Sequence, residues 1–194
     1  NPADRHHNYP FTNCTNCGPR FTIIEATPYD RENTSMKDFL ACPECDMEYH
    51  DPANRRFHAQ PVACPACGPQ VRIMSHNGRL VITEAQWLNF FHDQISLGKI
   101  FAVKGLGGFH LCCATDEDTV ARLRTRKNRP FKPFALLCRD LSVASKYCHV
   151  SESEAAWLSS PQAPVVLLSA AEGCTLPPNI NPGLATLGFM LPYT

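Results

Sequence analysis

No stretch of this 194-residue sequence approaches the roughly 20 uninterrupted apolar residues of a membrane-spanning helix, and no basic, apolar, small-residue signal opens it at Asn1. The expectation is a soluble, cytoplasmic protein with no membrane association. Net charge is missing as well: 18 basic and 18 acidic residues cancel, which argues against wholesale coating of nucleic acid and leaves only local patches to consider. Apolar material is not lacking. At 44% hydrophobic residues the chain can bury one sizeable core or two small ones, so disorder is excluded as its main character.

Cysteine is the residue in excess, with 11 in the chain, and its spacing decides what it is for. Six form three Cys-x-x-Cys pairs, Cys14/Cys17, Cys42/Cys45 and Cys64/Cys67, while Cys112, Cys113, Cys138, Cys148 and Cys174 lie scattered in apolar surroundings and read as buried thiols. Two thiols separated by two residues suit a knuckle that points both sulfurs at one metal, whereas secreted disulfide frameworks rarely consist of such pairs in series. Zinc and a reducing compartment follow.

An internal repeat supports this reading. CTNCGPRFTI, from Cys14 to Ile23, matches CPACGPQVRI, from Cys64 to Ile73, at an offset of 50 residues, and Asn1-Pro2-Ala3-Asp4-Arg5 matches Asp51-Pro52-Ala53-Asn54-Arg55 at the same offset. In the complete copy 18 residues separate Cys45 from Cys64, so C-x2-C-x18-C-x2-C suits two knuckles closing over one tetrahedral zinc. By the same register the opening pair of the first copy would precede Asn1, so Cys14 and Cys17 are expected to form an incomplete half-site. A closed four-cysteine site has no open coordination position, which makes its role structural. Four thiolates leave no vacancy for His6, His7, His50 or His58, which read as surface residues.

Composition changes after Ile73, where Pro, Asn and Cys thin out and a turn signal stands at Asn77-Gly78. The boundary is placed there, giving a zinc-finger domain over 1–76 and an α/β domain over 77–194. Thr83 with Gln86 forms a capping box ahead of Trp87, Leu88, Phe91 and Ile95 on one helical face. Strand-like runs follow at Ile100–Val103, Phe109–Cys113, Phe134–Cys138 and Val165–Leu168. Between them, Thr115 to Asp118 opens a helix carrying Val120 and Leu123 inward, and Ser151 to Glu154 opens another before Trp157 and Leu158. Strands interleaved with helices make this an α/β domain of mixed twisted sheet, expected to be cut short at Thr194 as the finger is at Asn1.

Two stretches of this domain could carry chemistry. Lys104-Gly105-Leu106-Gly107-Gly108-Phe109-His110 ends a strand with a lysine beside glycines, where a ligand could approach the backbone. It is no Walker loop, since Gly-Lys-Ser/Thr is absent, and a structural turn would account for it equally well. From Arg122 through Arg139, Arg122, Arg124, Arg126, Lys127, Arg129, Lys132 and Arg139 occur without one Asp or Glu. A solvated helix end covers Arg122, Arg124 and Arg126. The proline-stiffened Lys127-Asn128-Arg129-Pro130-Phe131-Lys132-Pro133 fixes three cations in a short span, suited to a triphosphate or an RNA backbone.

KGLGGFHL from Lys104 and KNRPFKPFALL from Lys127 resemble the YrdC-like domain of HypF-type carbamoyltransferases. The Cys pairs with GPRFTI, YDRENTSM and DPANRRFHAQPVACPACGP around them resemble the double zinc finger that precedes it. The resemblance implies hydrogenase maturation: carbamoyl phosphate is hydrolysed to carbamate, adenylated with ATP and Mg, and passed to the C-terminal cysteine of an acceptor called HypE. It assigns ATP phosphates to Lys127, Arg129 and Lys132, places Lys104 on the same cleft, and sets Phe109 and His110 facing the acyl-adenylate. The residues that transfer the carbamoyl group would lie outside this chain, so activity would belong to the intact parent. A reading from another class is a zinc- and RNA-binding module, since knuckles beside a basic loop also suit RNA. Only Phe131 and Phe134 accompany that loop as stacking aromatics, which favours the enzyme.

Overall fold

The computed structural model describes residues 1–15, 21–83, 86–105 and 108–192, apart from the Thr83 side chain. These divide into two compact units, Asn1–Asn89 and Phe90–Thr194. The boundary expected after His76 falls inside a hairpin of the first unit.

In the first unit the repeat seen in the sequence is a repeat of backbone. Asn1 and Asp51 side chains each accept from the amide two residues on, Ala3 and Ala53, and Asp4 and Asn54 do the same for His6 and Arg56. Such side-chain-to-backbone turns are why short polar residues recur there. Asn8 and His58 follow with φ of 59° and 52°. Helix α1, Pro43–His50, starts with Cys42 at its N-cap and Pro43 preset in its first turn. The antiparallel hairpin of β1, Arg72–Met74, and β2, Leu80–Thr83, turns through Gly78 at φ 79°, as Asn77-Gly78 signals. Two small apolar clusters hold the unit, Tyr9, Met36 and Ala63 in one and Cys45, Val62 and Cys64 in the other.

The unit boundary falls inside α2, Trp87–Ser96, and the second unit continues into the β3–β4 antiparallel hairpin, Phe101–Lys104 and Phe109–Cys112. Phe91 of α2 meets Phe101 at 4.7 Å, whereas Leu88, three residues before it on the helix, is exposed. The capping box read at Thr83 and Gln86 lies partly outside the described residues. Helix α3, Glu117–Lys127, does not use Thr115 as its cap: Asp116 Oδ1 accepts from the Thr119 amide at 2.8 Å, since a carboxylate at the helix N-terminus also meets the dipole. Helix α5, Glu152–Leu158, carries the capping box expected of Ser151 and Glu154.

The core sheet is mixed. Strand β5, Ala135–Leu137, runs parallel to β7, Thr186–Met190, and β6, Val166–Ser169, antiparallel to it, so the last strand inserts between the other two. The short helix α4, Leu141–Ala144, and α5 lie along the chain between β5 and β6. Leu136, Leu168, Leu187 and Phe189 face one core with Val120, Ala144, Leu158 and Ile180. Cys138 and Cys148 are buried as expected, while Cys112, Cys113 and Cys174 are half-buried.

Candidate functional site

Cys42, Cys45, Cys64 and Cys67 converge, with all four sulfurs within 4.8 Å of one another. The measured edges are 3.7 Å from Cys42 to Cys64, 3.8 Å from Cys64 to Cys67 and 3.5 Å from Cys67 to Cys45. A tetrahedron with metal–sulfur distances of about 2.3 Å has edges of about 3.8 Å. The donor set, all sulfur and closed, is that of a structural zinc site rather than a catalytic one.

Each knuckle is built locally. In the first, α1 begins between the two cysteines, so Cys42 and Cys45 sit at a helix N-terminus that favours thiolate. In the second, the amides of Cys67 and Gly68 both donate to the Cys64 carbonyl, at 3.2 and 2.9 Å. Gly68 admits no side chain, because a Cβ there would overlap the Tyr9 hydroxyl and lie 2.6 Å from Ala63 Cβ. Tyr9 uses that space to donate to the Pro69 carbonyl at 3.0 Å.

One arginine joins the two approach segments. Arg31 Nη1 donates to the Gln60 and Val62 carbonyls, both at 2.8 Å, and Nη2 to that of Phe39 at 2.7 Å. Phe39 stands three residues before Cys42 and Val62 two before Cys64, so a single guanidinium sets the spacing of the two knuckles. Burial lowers the pKa of Arg31, and the nearby Cys67 and Cys45 work against that. Burial likewise pushes the Cys45 thiol up, against a hydrogen bond from Arg5. A divalent cation on the sulfurs would reverse this and bind them as thiolates.

Around this cluster the structure corrects one reading. His6 is not a surface residue: it is 5% exposed, and its Nε2 lies 3.0 Å from Glu48 Oε2. His7, His50 and His58 are exposed. Cys14 is exposed and stands outside the four-sulfur cluster, while Cys17 lies outside the described residues. Cys42, Cys45, Cys64, Cys67, Cys112, Cys113, Cys138, Cys148 and Cys174 form no disulfide.

In the second unit the residues expected to meet phosphate stand as two sets. Lys104 ends β3 paired with Phe109, its Nζ 5.4 Å from that ring, and His110 is paired with Val103 one step back. The His110 ring lies against Gly105, where a Cβ would meet it at 3.1 Å. Leu106 and Gly107 lie outside the described residues. The other set surrounds the loop after α3. Lys127 and Lys132 are exposed, whereas Arg129 donates to the Lys132 and Pro133 carbonyls at 3.2 and 2.7 Å and stacks 5.2 Å from Phe134.

Sequence reasoning missed the residue that holds this loop. Arg124 is not a solvated helix end; it is 8% exposed and donates to the carbonyls of Arg129, Lys132, Pro130, Asn179 and Ile180. The signal was present, because Arg124 follows Val120 by one helical turn and so shares its inward face.

A four-sulfur finger followed by an α/β domain with a braced cationic loop defines the class. Residues 93–194 match the Sua5/YciO/YrdC family, described as telomere recombination, and residues 1–24 and 41–74 match the HypF finger. The chain belongs to the Sua5/YciO/YrdC family, in the HypF-type arrangement of a finger followed by that domain. It is 49% identical over 98% of its length to the carbamoyltransferase HypF of Rhodobacter capsulatus and 48% over 100% to that of Synechocystis. It spans about a quarter of each, 25%. The crystal structure of T. kodakarensis HypF superposes with a TM-score of 0.93 at 47% identity, covering 100% of this chain and 25% of that one. Full-length HypF in a phosphate- and nucleotide-bound form superposes at 0.88 with 48% identity, again over 100% and 25%. No helix among the described residues is long and apolar enough to cross a membrane.

Proposed function

We propose that this chain supplies the zinc finger and the ATP-binding part of a carbamoyltransferase of HypF type. In that reaction carbamate derived from carbamoyl phosphate is adenylated with ATP and Mg, and the carbamoyl group passes to the C-terminal cysteine of a HypE-like acceptor in the cytoplasm during [NiFe]-hydrogenase maturation. The observation that carries this reading is end-to-end similarity to carbamoyltransferases with finger and α/β domain in the same order. The four-sulfur geometry supports zinc at Cys42, Cys45, Cys64 and Cys67.

The residues have distinct parts in this account. Lys127 and Lys132 present exposed point charges to the ATP phosphates, while Arg124 and Arg129 hold the backbone between them in one shape. Fixed cations of this kind stabilise charge gathering on departing pyrophosphate. Lys104 and His110 at the hairpin end face the same nucleotide. Zinc, once bound, contributes folding energy and no chemical step.

The test is a chimera in which this chain replaces the matching quarter of the Rhodobacter capsulatus enzyme. It is expected to modify an acceptor thiol in the presence of carbamoyl phosphate and ATP. The paired change Lys127→Ala and Lys132→Ala should lower carbamate-dependent exchange of pyrophosphate into ATP at least ~10-fold while sparing carbamoyl phosphate hydrolysis, by removing phosphate-stabilising charge. Full exchange by that variant would overturn the assignment of these lysines, and RNA affinity in its place would favour the RNA-binding reading.

A further inference from the structure

We propose that Arg5 is a positioning residue of the four-cysteine site: held by Glu48, its guanidinium donates to the Cys45 sulfur and slows loss of the metal. This rests on the zinc reading above and extends it to a residue outside the C-x2-C-x18-C-x2-C segment.

The geometry begins on α1, where Glu48 follows Cys45 by three residues, so sulfur and carboxylate share one helix face. Arg5 spans them. Its Nη2 lies 2.8 Å from Glu48 Oε2 and 3.2 Å from Cys45 Sγ, and its Nε lies 3.2 Å from Glu48 Oε1. Only a planar fork with several donors can grip a carboxylate with two nitrogens and still reach the sulfur. Glu48 is fixed in turn by His6 Nε2 at 3.0 Å and Arg56 Nη1 at 3.6 Å. His6 and Arg56 are equivalent across the 50-residue repeat, so both copies deliver a buried basic group to one carboxylate.

The reason for a cation here is charge. Four thiolates around a divalent ion carry a net negative charge of two, and Cys45 is 0% exposed, with no water to compensate its share. A guanidinium at hydrogen-bonding distance offsets that charge where the dielectric is low. Groups that orient and hydrogen-bond metal ligands change metal affinity by ~10–100-fold. The N-terminal copy of the repeat therefore acts on the metal site of the second copy.

The experiment uses the zinc-loaded full chain, with release into excess EDTA followed by a colorimetric indicator, and a cobalt-substituted form read by its thiolate-to-cobalt absorption band. Arg5→Met is expected to release zinc at least ~10-fold faster and to shift the cobalt band to lower energy, because a sulfur without its hydrogen bond gives up charge more readily. Wild-type release with an unshifted band would overturn the proposal. Should Arg5→Met fail to fold, Arg5→Lys keeps the charge but not the fork and is expected to release faster than wild type at unchanged circular dichroism; release at the wild-type rate would overturn it equally. A wild-type chain that retains no zinc after purification in its presence would remove the zinc reading and this inference together, whereas zinc retained identically by all variants would remove the inference alone.

Discussion

Arg124 gathers the carbonyls of Arg129, Pro130 and Lys132 on one side and of Asn179 and Ile180 on the other. Arg124→Met keeps the apolar stem over Phe134 and removes the donors, so it is expected to cost ~2–4 kcal/mol through unpaired buried carbonyls. Urea unfolding measures this, and a cost below ~0.5 kcal/mol would show that water replaces the guanidinium without loss. Cys148 offers a pH test. Burial first, then the charges of Cys174 and Glu154, push its thiol up to about 11. The unfolded thiol titrates near ~8.5, so between these values the unfolded chain releases a proton that the folded chain keeps. The contribution is full below the unfolded value and is lost as pH rises toward 11. Cys148→Ala should therefore flatten the decline in urea midpoint between pH 9 and pH 11, and an unchanged slope would contradict the burial argument.

At the scale of elements, α3 explains how the cationic loop begins. Asp116 caps its start and Asn128, at φ 48°, caps its end in the left-handed conformation, which Asn tolerates better than most residues. The chain therefore leaves the helix sharply at Lys127 and turns into the loop. Asp116→Ala is expected to cost ~1 kcal/mol, typical of a lost N-cap, and Thr115→Ala much less. Comparison of the two urea midpoints decides which residue caps, and a larger loss from Thr115→Ala would restore the cap read from the sequence. Strand β7 is one of the elements that sequence reading passed over, with β1 and β2. It follows a proline-rich segment and contains Gly188, whose Cβ would meet Val165 Cγ1 at 3.0 Å and Leu167 Cδ2 at 3.5 Å. A missing side chain lowers strand propensity, yet here it lets the neighbouring strand's side chains cross the centre of the sheet.

For the molecule as a whole, the two units depend on different sources of stability. Among the described residues the first has two small apolar clusters, whereas the second buries a larger set that includes Val120 and Phe189. Stripping metal should therefore abolish amide-exchange protection in α1 and the knuckles while leaving that of β5, β6 and β7 in place, since metal binding free energy is folding free energy where the core is small. Equal loss in both units would contradict this division. The sequence by itself determined the periodic features: the cysteine spacing, the 50-residue repeat, the hairpin turn at Asn77-Gly78 and the alternation of strands and helices after it. These are local patterns, carried by short-range sterics and by the demand for paired donors. Only the tertiary structure decided that His6 and Arg124 are buried, that Arg31 spans both knuckle approaches, that β7 inserts between β5 and β6, and that Arg5 reaches the sulfur of Cys45. A polar side chain's burial depends on partners 29 to 56 residues away, and no local pattern records where such partners will stand.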